Sequence, residues 1–213
     1  MENYGKQNGT KSKLFILILC IFLISNLFAQ QKDTPSTTDS SSYVKEINQA
    51  VNFCPGGIIF GIYAINYEYL VNRNHGLVAR FDYENVSETL SEDTMEADGY
   101  AFTFNYRWHF SGAMESFYIG SYARYKYYKG DATDGATKFD FTLQEYTLGL
   151  NAGKRWVWNS GFNINCAFGY GISKLDKETD PTSPSIEAKL DEFIDNYTFI
   201  DPFYGEISIG YAF

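Results

Sequence analysis

Apolar and polar side chains alternate with a period of two along most of the chain from Val44 onward. Between Tyr100 and Phe110 every even position is aromatic, whereas the odd positions are polar or small. Successive side chains of a β-strand point to opposite faces, so this pattern predicts strands with one aromatic face and one polar face. Seven segments show this split, Tyr100–Phe110 included, and a weaker eighth segment runs from Val44 to Phe53. We therefore predict an all-β chain of eight strands.

The connections between these strands alternate in length, which indicates a two-sided architecture. The three short connections are Asn72–Gly76, Ser111–Ser116 and Asn159–Gly161. The three long connections are Ser87–Gly99, Lys129–Phe139 and Ser173–Pro202. Outer-membrane barrels have short periplasmic turns and longer external loops. Residues 44–213 are thus predicted to form a closed antiparallel up-and-down eight-stranded transmembrane β-barrel with the long loops outside.

The number of aromatic rings indicates which face of the barrel points inward. The chain contains 18 Tyr, 18 Phe and 3 Trp, and an eight-stranded barrel has a lumen that side chains or one small ligand already fill. The aromatic face is therefore predicted to meet lipid, and the polar face to line the lumen. Two alternatives remain open: a soluble, exported, lipocalin-like barrel that binds an apolar ligand, and a minor channel.

The polar face carries charges of both signs near the middle of the strands. The cations are Arg80, Arg107, Arg124 and Arg155, and the anions are Glu68, Asp82, Glu145 and Glu206. Buried charges persist only when they are paired and hydrogen-bonded, so we predict a structural network that leaves the lumen largely closed. A one-residue register slip would place such an Arg in lipid, at a cost of about 2–4 kcal/mol near the midplane.

The N-terminus has the pattern of an export signal. Lys11 and Lys13 precede an unbroken apolar run, Leu14–Ile24, which is too short to span a bilayer as a helix. This pattern predicts a helical signal peptide over residues 1–29, cleaved after Ala29. Together with the predicted transmembrane barrel, it predicts a location in the outer membrane of a Gram-negative bacterium. Residues 30–43 are rich in Ser and Thr and are predicted to be a flexible linker.

Few residues in the chain suggest chemistry. The two histidines, His75 and His109, lie near short turns without an adjacent nucleophile, and neither a Gly-x-Ser-x-Gly elbow nor a P-loop is present. We therefore expect no enzyme activity, cofactor or metal centre. Cys54 at a turn and Cys166 in mid-strand are expected to remain unpaired. A net charge of −9 argues against nucleic acid as a partner.

The long connections concentrate acidic residues. Ser87–Gly99 contains five acids and no cation. The carboxylates of this segment and of Ser173–Pro202 suit divalent cations or a basic partner, although solvated loops are the simpler interpretation. Within the second segment, the apolar spacing of Ile186–Phe193 predicts a short external helix.

The stretch Val51–Leu70 resembles the first hairpin of an uncharacterised family of small outer-membrane barrels, with Asn52 and the pair Tyr67-Glu68 matching. More broadly, residues 44–213 resemble the OmpA/OmpX-like class of eight-stranded barrels. The chain end, with Ile209, Tyr211 and Phe213 alternating, resembles the C-terminal signal that the barrel-assembly machinery reads. The resemblance implies the location and the fold of a small integral outer-membrane barrel, and we expect such a barrel to have a structural or interaction role. Its implied partners are outer-membrane lipid and the assembly machinery.

Overall fold

The computed structural model describes residues 47–90, 93–134, 137–196 and 202–213. Within these ranges, eight antiparallel strands close into one up-and-down barrel in sequence order, which confirms the predicted fold class. The strands are β1 (Gln49–Phe53), β2 (Ile62–Asn72), β3 (His75–Leu90), β4 (Asp93–His109), β5 (Ser116–Asp134), β6 (Thr137–Val157), β7 (Phe162–Asp180) and β8 (Tyr204–Ala212). The predicted signal peptide and linker, residues 1–43, lie outside the described residues.

Large apolar side chains cover the outside of the barrel, and charged side chains fill the inside. Ile172 is 77% exposed and Leu150 is 70% exposed, whereas Glu68, Arg107 and Arg155 are fully buried at 0%. This distribution is the reverse of a water-soluble domain, in which apolar side chains are buried and charges are exposed. The alternation in the sequence therefore corresponds to an apolar exterior and a polar lumen.

Strands β3 to β7 are longer than a bilayer crossing requires. They contain 16 to 21 residues, and a membrane strand needs only about 9–11. The expectation of long loops at Ser87–Gly99 and Lys129–Phe139 is wrong, because the β3–β4 ladder continues to Leu90 and Asp93 and the β5–β6 ladder continues to Asp134 and Thr137. In the sequence, the acidic residues of the outer face made these segments resemble loops, although apolar residues on the inner face continue the alternation.

Helix α1 (Pro184–Asn196) packs on the inner face of these strand extensions. Ile186 and Leu190 of the helix join a buried apolar cluster with residues of β4, β5 and β6. The sheet residues of this cluster are Met95, Ala97, Tyr128, Ala132, Phe139, Phe141 and Leu143. The structure thus has the helix that the apolar spacing of Ile186–Phe193 predicted. None of the helices in the described ranges has the length and apolar character that a membrane crossing demands.

The opposite end of the barrel is closed by the turn between β4 and β5. Met114 of this turn is 2% exposed and packs with Ala50, Leu70 and Ala212. Its thioether sulfur lies 3.1 Å from Nη1 of Arg155, so Met114 directly contacts the charged interior. Apolar clusters therefore cover the charged interior at both ends.

The seam between β1 and β8 is the shortest in the barrel. It pairs four residues of each strand, from Ala50 opposite Ala212 to Phe53 opposite Ile209. After Phe53 the chain leaves the ladder and forms a 3₁₀ segment, Pro55–Phe60, and it returns to the sheet at Ile62. The predicted first strand spans Val44–Phe53. In the structure β1 begins at Gln49, and residues 44–46 lie outside the described residues.

Candidate functional site

We call the end of the barrel with the strand extensions and α1 the upper end, and the end with the β4–β5 turn the lower end. Glu68 is the centre of the lower half of the charged interior. Its Oε2 accepts hydrogen bonds from Arg107 Nη1 at 2.6 Å and from Arg155 Nη2 at 2.7 Å. Its Oε1 lies 2.7 Å from His109 Nε2. These four side chains come from strands β2, β4 and β6, so the ion pairs cross the lumen and connect strands that are not neighbours.

Glu206 of β8 is a second anion at this level. It accepts a hydrogen bond from Arg107 Nη2 at 2.8 Å, which makes Arg107 the link between the two acids. Asn66 and Asn165 donate to its other oxygen at 3.0 and 2.6 Å, and Tyr204 donates its hydroxyl proton to Oε2. All these side chains are buried, and Glu206 is satisfied on both oxygens.

The upper half of the interior contains looser pairs. Arg80 Nε and Asp82 Oδ1 are 2.7 Å apart, Arg124 and Glu145 approach to 3.9 Å, and Lys126 Nζ is 3.5 Å from Glu84 Oε2. Tyr128 donates its hydroxyl proton to Glu84 as well. These pairs keep 3–10% exposure on most of their side chains, in contrast to 0% for the Glu68 cluster.

The eight residues predicted for the charged network all point into the barrel. They are Glu68, Arg80, Asp82, Arg107, Arg124, Glu145, Arg155 and Glu206, and each has an ion pair within 4.0 Å. Sequence reasoning omitted the Glu84–Lys126 pair and the contact from His109. All three residues lie on the polar face of their strands. Alternation alone therefore predicts that their side chains point into the barrel, but it does not predict which residues they contact.

The remaining candidates for chemistry are separate from one another. His75 begins β3 and contacts Tyr106 from the outer face, with Nδ1 2.6 Å from the phenol oxygen. Cys54 is buried and Cys166 is half-buried, and the two thiols do not form a disulfide with each other. In the described part of the chain, no group of three or more His, Cys, Asp or Glu side chains is arranged to hold a metal ion.

The acidic residues of the strand extensions face outward in one row. Directly opposed positions place Glu96 beside Asp131, Asp131 beside Asp140, and Asp140 beside Asp180 on four consecutive strands. Lys138 lies 3.1 Å from Asp131. The hydrogen bond and charge of that carboxylate raise the pKa of Lys138 above its usual value. Like charges in directly opposed cross-strand positions destabilise a sheet.

Asp140→Asn is expected to stabilise the extension, because Asp140 has an acid opposite it on both sides. The expected gain is about 0.2–1 kcal/mol, the range for one cross-strand pair. Thermal unfolding of the purified barrel in low-salt detergent would measure it.

Asp176→Asn is the matched control for this change. Asp176 lies on the same outer face but is 2.9 Å from Lys174, so its neutralisation removes an attraction and should give no gain. Equal shifts for the two variants would contradict the role of the acidic row.

Leu190→Ala is expected to release α1 from the sheet without unfolding the barrel. Leu190 is fully buried in the apolar cluster, and such truncations cost about 2–5 kcal/mol. Tryptic cleavage at Lys189 should accelerate while the heat resistance of the barrel is retained. Glu187→Ala, at an exposed position of the same helix, should leave cleavage unchanged, and similar cleavage of both variants would contradict the packing role.

The C-terminal residues are the last part of the predicted set. Ile209 and Tyr211 lie on the outer side of β8, at 39% and 56% exposure, and the rings of Tyr211 and Phe213 stack with centroids 6.2 Å apart. This arrangement presents them on the outside of the seam strand. Their role as an assembly signal stays a prediction.

These features define a closed eight-stranded up-and-down β-barrel with a charged, ion-paired interior. The chain belongs to the family described as "Protein of unknown function (DUF3575)", whose family model matches residues 35–213. No curated protein matches the sequence significantly.

Two solved structures from Acinetobacter baumannii are similar to the chain. CarO2 is 11% identical and has a TM-score of 0.44, with 78% of this chain and 98% of that chain covered. CarO is 12% identical and has a TM-score of 0.40, with 81% and 99% covered.

Proposed function

We propose that this protein is an integral outer-membrane barrel with a closed lumen, and that its role is structural or interactive rather than catalytic. The observation that carries the proposal is the outward apolar surface. It spans all eight strands and includes Phe102, Leu150 and Ile172 at 58–77% exposure. A water-soluble barrel would expose polar side chains there, whereas lipid solvates an apolar band.

Aromatic side chains at both margins of this band support the same conclusion. Tyr83 and Tyr100 pack together at the upper margin with ring centroids 5.6 Å apart, and Trp108 and Phe110 pack at 5.3 Å near the lower turns. Membrane barrels have girdles of aromatic residues at the two interfaces. Above the upper margin, the outward positions change to charged residues such as Asp98 and Lys129.

The filled interior supports a closed lumen. The ion-paired core around Glu68 and the apolar clusters of Leu190 and Met114 occupy successive levels of the barrel. The charged and amide side chains that line the middle of the interior argue against the apolar chamber that the lipocalin-like alternative needs. The strand extensions and α1 would be the part presented outside the cell.

Fractionation and labelling test the membrane location and the orientation. The protein should remain in the outer-membrane pellet after alkaline carbonate washing, and recovery in the aqueous phase without detergent would refute the proposal. A membrane-impermeant maleimide should label Ser185→Cys at the start of α1 on intact cells. It should label Ser160→Cys, in the β6–β7 turn, only after the cells are opened, and the reverse pattern would overturn the orientation.

Planar-bilayer recording tests the closed lumen. The purified protein is expected to give no resolved conductance steps, because buried ion-paired side chains around Glu68 and apolar clusters at both ends fill the lumen. Stable, reproducible steps would favour the channel alternative. Leu190→Ala serves as a comparison, since a channel closed only by α1 would open in that variant.

A further inference from the structure

The upper part of the β1–β8 seam lacks a strand partner. β1 ends at Phe53, and the 3₁₀ segment Pro55–Phe60 takes the place that a longer β1 would occupy between β2 and β8. The upper residues of β8, from Tyr204 to Ser208, therefore have a ladder only on their β7 side, and we call this break in the β1–β8 ladder the gap.

The direction of the β8 backbone determines which groups face this gap. Ala212 donates its N–H to Gly161 on the β7 side, whereas Phe213 and Gln49 exchange hydrogen bonds on the β1 side. Alternate residues of an antiparallel strand direct both backbone groups to the same neighbour. Counting back in steps of two from Phe213 places the carbonyls of Gly205 and Phe203 on the β1 side, where no strand receives them.

Two lumenal arginines bind these carbonyls instead. Arg80 Nη1 donates to the Gly205 oxygen at 3.1 Å, and Arg124 Nη1 donates to the Phe203 oxygen at 3.0 Å. Arg80 Nε is held by Asp82, and among the described residues none accepts a hydrogen bond from Arg80 Nη2. Arg80 is also the most exposed cation of the interior ion pairs, at 10%. A guanidinium with an available donor thus lies at the edge of the gap.

The outer side of the same gap is apolar. Ile58, Ile59 and Phe60 of the 3₁₀ segment are 43%, 81% and 41% exposed, and Phe203 at the top of the seam is 53% exposed. In a membrane barrel these side chains contact lipid chains. The gap is therefore bounded by cations within the wall and by apolar side chains outside it.

We propose that this gap binds the acidic head of a single-chain amphiphile, a fatty-acid carboxylate or a lipid phosphate. The head would accept hydrogen bonds from Arg80 Nη2, and the acyl chain would lie along Ile59 and Phe60. Charge-assisted hydrogen bonds to a guanidinium are about twice as strong as neutral ones, and the planar fork of Arg suits both anions. The proposal rests on the proposed membrane location, because the acyl chain needs lipid beside the wall.

Binding can be measured with cis-parinaric acid, a fluorescent fatty acid, on the full-length protein in phosphatidylcholine nanodiscs. Energy transfer from the protein is expected to saturate at one probe per barrel, above the level for empty nanodiscs. Transfer that rises linearly with probe, without saturation, would overturn the proposal. The same preparation is first tested for carbonate-resistant membrane insertion, so a failure of binding is distinguishable from a failure of the membrane location.

The charge-neutral double variant Arg80→Gln/Asp82→Asn tests the anchoring cation. It removes the guanidinium without leaving Asp82 unpaired, and affinity is expected to fall about tenfold or more, as for one charge-assisted hydrogen bond. Glu84→Gln/Lys126→Gln removes a matched pair elsewhere in the lumen and should bind like the wild type. Heat resistance on gels shows that both variants are folded. Equal affinity of the two folded variants would contradict the assignment.

Competition identifies the source of the acidic head. Displacement of the probe by oleate alone indicates a fatty acid, displacement by lysophosphatidic acid alone indicates a lipid phosphate, and displacement by both supports the shared chemistry. Oleyl alcohol has the same chain length as oleate without the charge and should not compete. Equal competition by the alcohol would show that the chain alone is bound, which overturns the role of Arg80.

Discussion

Glu68→Gln is expected to abolish most of the heat resistance of the folded barrel. Glu68 neutralises Arg107 and Arg155 at 2.6 and 2.7 Å and contacts His109, and all four side chains are fully buried. Removal of one member of a buried ion pair leaves an uncompensated charge and costs about 3–5 kcal/mol. The shift between folded and unfolded bands on gels, recorded against temperature in detergent, would measure the loss.

The double variant Glu68→Gln/Arg155→Gln separates charge from shape. Glu68 supplies the carboxylate that Arg155 contacts, so neutralising both should recover part of the stability that the single change loses. With the single variant Arg155→Gln and the wild type, these proteins complete a double-mutant cycle that gives the coupling between the two residues. Exposed Glu178→Gln is the control for a charge change alone. A barrel that melts with Glu68→Gln at the wild-type temperature would contradict the network.

Gly210→Ala is expected to prevent the β1–β8 seam from closing. A Cβ atom at this position would lie 1.9 Å from the backbone oxygen of Val51 and 2.8 Å from the Cα of Asn52. Both obstacles are backbone of the neighbouring strand, so the seam must widen, and overpacking of this kind costs about 1–3 kcal/mol or more. The yield of heat-resistant barrel after refolding into detergent should fall sharply.

Gly205→Ala is the matched control on the same strand. Its added Cβ would meet a ring carbon of Phe203 at 3.0 Å, and that side chain can rotate away toward lipid. Refolding of this variant should stay close to the wild type. If both variants refold equally, close approach of β1 and β8 at Gly210 does not control closure of the barrel.

The alternating pattern was sufficient to predict the strand directions. From Tyr100 to Phe110 and along the other segments, the side predicted for each residue agrees with the structure, because period two is a local property of an extended backbone. The eight predicted lumenal charges point inward for the same reason. The pattern was misleading where the polarity changed on one face only. Between Ser87 and Gly99 the outer face becomes acidic, and this part of the strands was therefore interpreted as a loop.

The partners of the charged residues depend on the closure of the barrel. Glu68 meets Arg155 across the lumen, 87 positions away in sequence, and no local spacing predicts such a contact. The burial of Leu190 could not be predicted from the sequence either. The apolar spacing of Ile186–Phe193 predicted a helix, but it did not predict that the inner face of the sheet buries Leu190. Both contacts arise only after register and curvature bring distant strands together.

The sequence by itself determined the all-β class, the number of strands and the face that side chains occupy within the predicted strands, because hydrophobic alternation acts residue by residue along an extended strand. Only the tertiary structure decided how far the strands extend, which acid neutralises which arginine, and where the wall lacks a ladder. These properties depend on register around a closed sheet. At the seam, β1 ends before it reaches the carbonyls of Phe203 and Gly205, and lumenal arginines bind these carbonyls instead. This arrangement is the basis of the proposed amphiphile site.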